Sequence, residues 1–234
     1  MLYEIAHIIK ERFGFIWDMV EWGNATVFSL MKGNAMKKIP SVLKECSDKY
    51  EIRLAEVTDV DGLVQFFAKQ PEESFTFFKP HEFDAKVVKK VVKNKAFLTF
   101  VVMDKVGSNG LKGSEGGNHS NSSNISEPKQ IVGYFFLRCF VNGKAFRGKM
   151  VDKDYQRRGI AKLMGVAMTK VATTLGVRMF GSISPENYAS LASTKAVNDI
   201  KIVKTLENGY YYIECTPKKA ADNQQIGGAC PKSN

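Results

Sequence analysis

Histidine and cysteine are scarce in this 234-residue chain, and their spacing excludes whole classes of chemistry. The three histidines, His7, His81 and His119, fall in no metal-ligand spacing, so no metal site is expected. Cys46, Cys139, Cys215 and Cys230 form no CxxC pair. With no export signal they read as free thiols in a reducing compartment. A membrane span needs about 20 predominantly apolar residues. The longest charge-free apolar stretch, residues 22–31, is too short and contains Gly23, Asn24 and Ser29. Glu4 precedes any basic residue, which does not fit a signal peptide. These absences together predict a cytoplasmic protein. No repeat of roughly 20–50 residues is visible.

What is present is ordinary for a folded domain. Hydrophobic residues make up 44% and charged residues 25%, which argues against wholesale disorder. Lysine and arginine (34) outnumber aspartate and glutamate (24), for a net charge of +10. Such a balance suits an anionic ligand: nucleic acid, an acidic membrane surface or a phosphorylated cofactor. No recognition-helix, zinc-finger or RNP-type pattern occurs, so nucleic acid is not expected.

Residues 107–128 are almost entirely Gly, Ser, Asn and charge, and predict a mobile insertion over 106–129. Residues 217–234 read as a polar tail. In residues 1–48, a helical extension, Ile5, Ile8, Ile9, Phe13, Ile16, Trp17 and Val20 recur at helical spacing. That stripe packs on the body of the protein, or residues 1–45 dock a partner or dimerise. The remaining domain is 49–216.

Within it the apolar period alternates between two and 3.6. Residues 52–57 read as a strand, Thr58 as the cap of a helix ended by Pro71, and Phe83 to Val92 as a second helix. Residues 96–104 and 130–140 form a hairpin across the insertion, and 145–151 a further strand. Residues 159–175 are an amphipathic helix ended by Gly176. A strand over 177–183 leads to a helix with Ser184 at the cap and Pro185 at its first position. Strands over 200–206 and 210–215 join through Asn208-Gly209. The fold class is mixed α/β.

Between the strand at 145–151 and the helix at 159–175, the chain turns through Gln156-Arg157-Arg158-Gly159-Ile160-Ala161-Lys162. The first turn of a helix carries unpaired N–H groups and positive potential, so anionic oxygens bind there. Gly159 permits close approach, and the arginines and Lys162 add charge. An ordinary strand-to-helix turn with solvated arginines reads equally well from these residues.

Residues 156–161 match the Q/R-x-x-G-x-G/A signature of the GNAT superfamily of acyl-CoA-dependent N-acyltransferases. A preceding strand, a following helix, another strand and then Asn187 supply its context. The sequence resembles that superfamily over roughly residues 51–216. The resemblance implies a GNAT-like fold, a central mixed, mostly antiparallel sheet flanked by helices, here with an N-terminal helical extension. It implies acetyl-CoA, or another acyl-CoA, as donor. Gln156, Arg157, Arg158, Gly159, Ile160 and Ala161 would hold the pyrophosphate, and Lys162 or a nearby arginine the 3′-phosphate. The backbone near Met150 and Val151 would pair with the pantetheine arm, where this strand and the next splay apart. Gly148 fits close ligand approach, a bulge or a plain weak strand position. Asn187 and Ser190 would lie beside the pantetheine; a local cap and a small packing residue are the alternatives.

Transfer to an amine needs a free nitrogen, and an alkyl ammonium has a pKa near 10. N–H groups near Val151 would stabilise the oxyanion. Many relatives place a tyrosine seven residues after the asparagine to protonate the leaving thiolate; here that position is Thr194. Tyr188, Ser190 or a water are the candidates instead. Glu72, Glu73 and Asp152 are candidate bases, each also readable as a solvated carboxylate. Residues 71–80, with Phe75, Phe77 and Phe78, and the last hairpin, with Tyr210, Tyr211 and Tyr212, would form the acceptor pocket. The expected reaction is acetyl transfer to a small amine, an amino sugar or amino acid derivative. A catalytically inactive acyl-CoA-binding sensor or interaction module is the alternative.

Overall fold

The computed structural model describes residues 14–105 and 130–218. The expectations for residues 1–13, for the insertion at 106–129 and for the tail beyond 218 lie outside the described residues. Two helices, α1 (Gly14–Met36) and α2 (Ile39–Lys44), precede strand β1 (Tyr50–Leu54). Next come α3 (Val60–Ala68), α4 (Ala85–Lys93), β2 (Phe97–Asp104), β3 (Ile131–Cys139) and β4 (Lys144–Val151). The chain closes with α5 (Ile160–Leu175), β5 (Arg178–Ile183), α6 (Tyr188–Lys195), β6 (Asn198–Thr205) and β7 (Tyr211–Pro217). From β1 onward the order of helices and strands is the one the sequence periodicity predicts.

The seven strands form one sheet in the order β1-β2-β3-β4-β5-β7-β6. Every neighbouring pair is antiparallel except β4 and β5. Apolar side chains cover both faces of β2 and β3, so both strands are buried along nearly their whole length and two cores result. In the first, α5 buries Ile160, Met164, Met168, Val171 and Leu175, packed with Phe28 of α1 and with Ile39 and Leu43 of α2. Each such buried side chain contributes roughly 1.5–3 kcal/mol. On the opposite face, Leu63, Phe66 and Phe67 of α3 and Val88 of α4 cover Val101, Tyr134, Phe136 and Met150.

Three local expectations are corrected. Thr58 caps no helix: Glu56 and Asp59 form a capping box around a 3₁₀ turn at Val57–Asp59, and α3 begins at Val60. The helix expected at Ser184-Pro185 starts at Tyr188. Asn187 is its cap, and the buried Ser184 hydroxyl instead accepts from the Glu186 amide. On α1, Val20 is exposed, and the inward face is carried by Asn24, Ala25 and Phe28. The Asn24 amide group donates to the Cys139 carbonyl at 3.0 Å and accepts from the Val141 amide at 3.2 Å. A polar anchor and the buried Phe28 side chain fix this helix to the sheet.

Candidate active site

β4 and β5 pair over three positions only: Lys144 with Arg178, Ala145 with Met179 and Phe146 with Phe180. Past that point β4 continues along β3 to Val151, and β5 continues along β7 to Ile183. The sheet therefore splits into a wedge whose crotch lies at Phe146 and Phe180. In an extended strand successive backbone groups point to alternate neighbours. The Lys144 carbonyl and the Asp152 amide bond β3 partners, so even-numbered residues of β4 face β3. Lys149 and Val151 then turn their backbone groups into the wedge.

The wedge opens towards the turn at 152–159, which is built rigidly. Asp152 is buried, accepts from the Asp154 amide at 2.8 Å and pairs with Lys69, the residue after α3, at 3.1 Å. Gln70 accepts from the Lys153 amide at 3.0 Å. Arg157 is held at φ 61° and Gly159 at φ 81°, the left-handed region in which glycine is at ease. Leu163 makes the first helical bond, to the Gly159 carbonyl. Among the described residues no acceptor is bonded to the amides of Arg157, Arg158, Gly159, Ile160, Ala161 or Lys162. Gln156, Arg157, Arg158, Gly159 and Lys162 are exposed, while the Ile160 side chain anchors the helix in the core. Arg158 folds back, donating to the Asp154 carbonyl at 3.0 Å and stacking 4.4 Å above the Tyr155 ring. A run of free amides beside an open wedge can hold a diphosphate and an extended amide-rich chain.

Several expected residues take other places. Met150 pairs with Tyr134 of β3 and buries its side chain in the second core, so of the pair named from sequence only Val151 faces the wedge. Gly148 makes no bulge: the β3–β4 register is unbroken, and a Cβ there would strike the Phe136 ring and come within 3.1 Å of Phe78. Asp152 is committed to its cap and to Lys69, so it is no base. Glu72 and Glu73 lie exposed on a 3₁₀ turn at Glu72–Phe75. Tyr188 is 77% exposed at the first position of α6. The Asn187 side-chain Oδ1 accepts from the Ser190 amide at 3.0 Å, a cap that leaves its NH₂ without a protein partner among the described residues. Ser190 is half-buried one helical turn before Thr194, on the same face. Among the aromatics, Phe75 and Phe78 join the second core, and Tyr212 stacks on Phe180 with ring centres 5.5 Å apart.

Arg147 and Lys149 were not expected from sequence. Both stand on the α5 face of β4, between the core residues Ala145 and Val151. Two cations on a strand face otherwise directed to the core are visible in the alternation of Lys144–Val151 once the inward parity is known. His81 was also passed over. Its Nε2 lies 2.9 Å from the Tyr134 hydroxyl and its Nδ1 2.6 Å from the Glu82 carbonyl, within a cage of Phe67, Phe83 and Phe97. Burial lowers the imidazole pKa and raises that of the Tyr134 phenol, keeping both neutral. Among the described residues no group of three His, Cys, Asp or Glu side chains is placed to hold a metal ion.

The split seven-stranded sheet, the open turn and the two flanking helices define the GNAT fold. Three solved structures carry the same architecture. The GNAT domain of S. lividans PAT superposes with a TM-score of 0.53 at 17% identity, over 70% of this chain and 89% of that one. The ribosomal-protein-S5-alanine acetyltransferase from Vibrio fischeri gives 0.52 at 15% identity, over 73% and 94%. AAC(6')-Ib, solved with parmomycin and acetyl-CoA, gives 0.51 at 11% identity, over 77% and 100%. No protein-family model matches the sequence, and no curated protein matches it significantly. No helix among the described residues is long and apolar enough to cross a membrane.

Proposed function

We propose that this protein is an acyl-CoA-dependent N-acyltransferase that moves an acetyl group from acetyl-CoA to the amine of a small acceptor. The observation that carries the reading is the set of unbonded amides from Arg157 to Lys162 beside the wedge between β4 and β5. The diphosphate of CoA sits on those amides, with Arg157 and Lys162 supplying charge. The pantetheine arm runs along the free backbone groups of Val151 and Lys149, and the thioester reaches the crotch. The Asn187 NH₂, left over from its cap, faces the arm together with Ser190.

The acceptor enters on the other face of the sheet, between the segment carrying Phe78 and the strip formed by Phe146, Phe180 and Tyr212. Glu72 and Glu73 give this side negative charge, which suits a cationic amine such as an amino sugar or an amino acid derivative. AAC(6')-Ib, with parmomycin and acetyl-CoA bound, offers one example of such a pairing on this fold.

Release of CoA thiol from acetyl-CoA, followed against a panel of amino sugars, amino acids and polyamines, tests the reading. Turnover with at least one amine is expected. Tight acetyl-CoA binding with no turnover on any amine would instead identify a binding module. The absence of binding would remove the donor assignment altogether.

A further inference from the structure

Arg147 stands one residue beyond the last β4–β5 pair, and its side chain crosses the crotch. One Nη2 hydrogen is donated to the buried Thr194 hydroxyl of α6 at 2.9 Å. Its Cγ and Nε lie 3.6 Å from the point where a Cβ on Gly181 of β5 would stand. The Arg147 Nε is itself buried and has no hydrogen-bond partner. Lys149, two residues along the same strand face, donates from Nζ to the Ala161 carbonyl of α5 at 2.8 Å. That nitrogen is also 3.8 Å from the Cβ position of Gly165. Neither cation forms a salt bridge among the described residues, and both keep donors unused. Two half-buried cations without a carboxylate, one with a buried unpartnered Nε, carry a desolvation cost that an anion between them removes.

An anion on the phosphate turn does not reach Arg147, which lies about 13 Å below Val151 at 3.3 Å per residue, whereas Lys149 stands between that turn and Arg147. The reaction itself generates one at the crotch. When the amine attacks the thioester, the C–N bond forms and the C–S bond breaks with both electrons on sulfur. Resting on the acyl-transfer reading above, we propose that Arg147 and Lys149 form the subsite for the CoA sulfur and hold the departing thiolate. Thr194 occupies the position at which the resemblance places a tyrosine acid, and it is the residue that orients Arg147. Contacts unsatisfied before reaction and satisfied as charge develops lower the barrier.

Burial and the neighbouring Arg147 bring the Lys149 ammonium down to about 7, while the Cys215 thiol of β7 pulls the other way. At that value Lys149 passes its proton to a thiolate whose ordinary pKa is about 8.5. The neutral lysine then regains the proton shed by the acceptor nitrogen, so charge balances over the cycle.

Titration calorimetry at pH 8, with CoA and with desulfo-CoA (hydrogen in place of the thiol), tests the subsite without knowledge of the acceptor. CoA should bind the wild type roughly tenfold or more tightly than desulfo-CoA, as charge-assisted hydrogen bonds provide. In Arg147→Met and Lys149→Met the two ligands should bind alike, with an unchanged circular-dichroism spectrum as the measure of an intact fold. Arg147→Lys should keep most of the difference. Equal binding of both ligands to the wild type, or a difference that survives in both methionine variants, overturns the subsite while leaving acyl transfer standing. If neither ligand binds, the acyl-CoA reading fails and the subsite fails with it.

Discussion

Gly159 combines a backbone conformation that L side chains rarely adopt with open space around its missing Cβ. A carboxylate placed there would meet the diphosphate and not the protein. Gly159→Asp should therefore weaken acetyl-CoA binding by on the order of 100-fold or more, since like charges near 4 Å repel by about 4 kcal/mol at an effective dielectric of 20. The circular-dichroism spectrum should not change, and calorimetry checks the affinity. Lys149 makes a different prediction, about stability. Its pKa falls from 10.5 in the unfolded chain to about 7 in the fold. Below both values the lysine is charged in both states and the fold bears the full desolvation cost. Between them the unfolded chain holds a proton that the folded chain lacks, so stability rises with pH. Lys149→Met removes this dependence. Its stability advantage over the wild type should shrink by about 2–3 kcal/mol between pH 6 and pH 9, at about 1.4 kcal/mol per pKa unit. Urea denaturation at the two pH values measures it.

At the scale of elements, β4 serves three neighbours at once: β3 through its even-numbered backbone groups, the wedge through Lys149 and Val151, and the aromatic core through the space above Gly148. That space holds the Phe136 and Phe78 rings, so Gly148→Ala should destabilise by about 1–3 kcal/mol through overpacking. Thermal denaturation checks this, and donor affinity should be retained because no ligand contact is involved. α6 shows how a short helix can be misplaced from sequence. Ser184-Pro185 carries the composition of a helix start, yet Ser184 turns inward and Asn187 provides the cap three residues later. Ser, Asn and Pro suit both turns and caps, and local residues alone do not decide between them.

Across the whole molecule, the N-terminal helices belong to the same core as the sheet. Phe28, Ile39 and Leu43 are essentially inaccessible among β-strand and α5 side chains, although Trp22 and Leu30 on the same helix α1 are 70% and 81% exposed. Phe28→Ala should cost about 3–5 kcal/mol. It should also lower the midpoint of a single cooperative unfolding transition, without producing a separate early one. Two transitions by calorimetry, with the second at the wild-type midpoint, would mean that α1 melts independently. The excess of basic residues is consistent at this scale with a polyanionic donor: Arg157, Arg158 and Lys162 cluster at the turn, and Arg147 and Lys149 line the wedge behind it.

Local order in the sequence determined the succession of strands and helices from β1 onward, the Asn208-Gly209 hairpin and the glycine that opens α5. Each depends on residues within a few positions of one another, where periodicity and turn chemistry act directly. Tertiary structure alone decided that β4 and β5 part after three pairs, that Met150 faces β3 while Lys149 faces the cleft, and that Arg147 reaches Thr194 on a helix 47 residues away. Those outcomes depend on strand parity and on contacts between distant segments. A one-residue change of register would send every side chain of β4 to the opposite face.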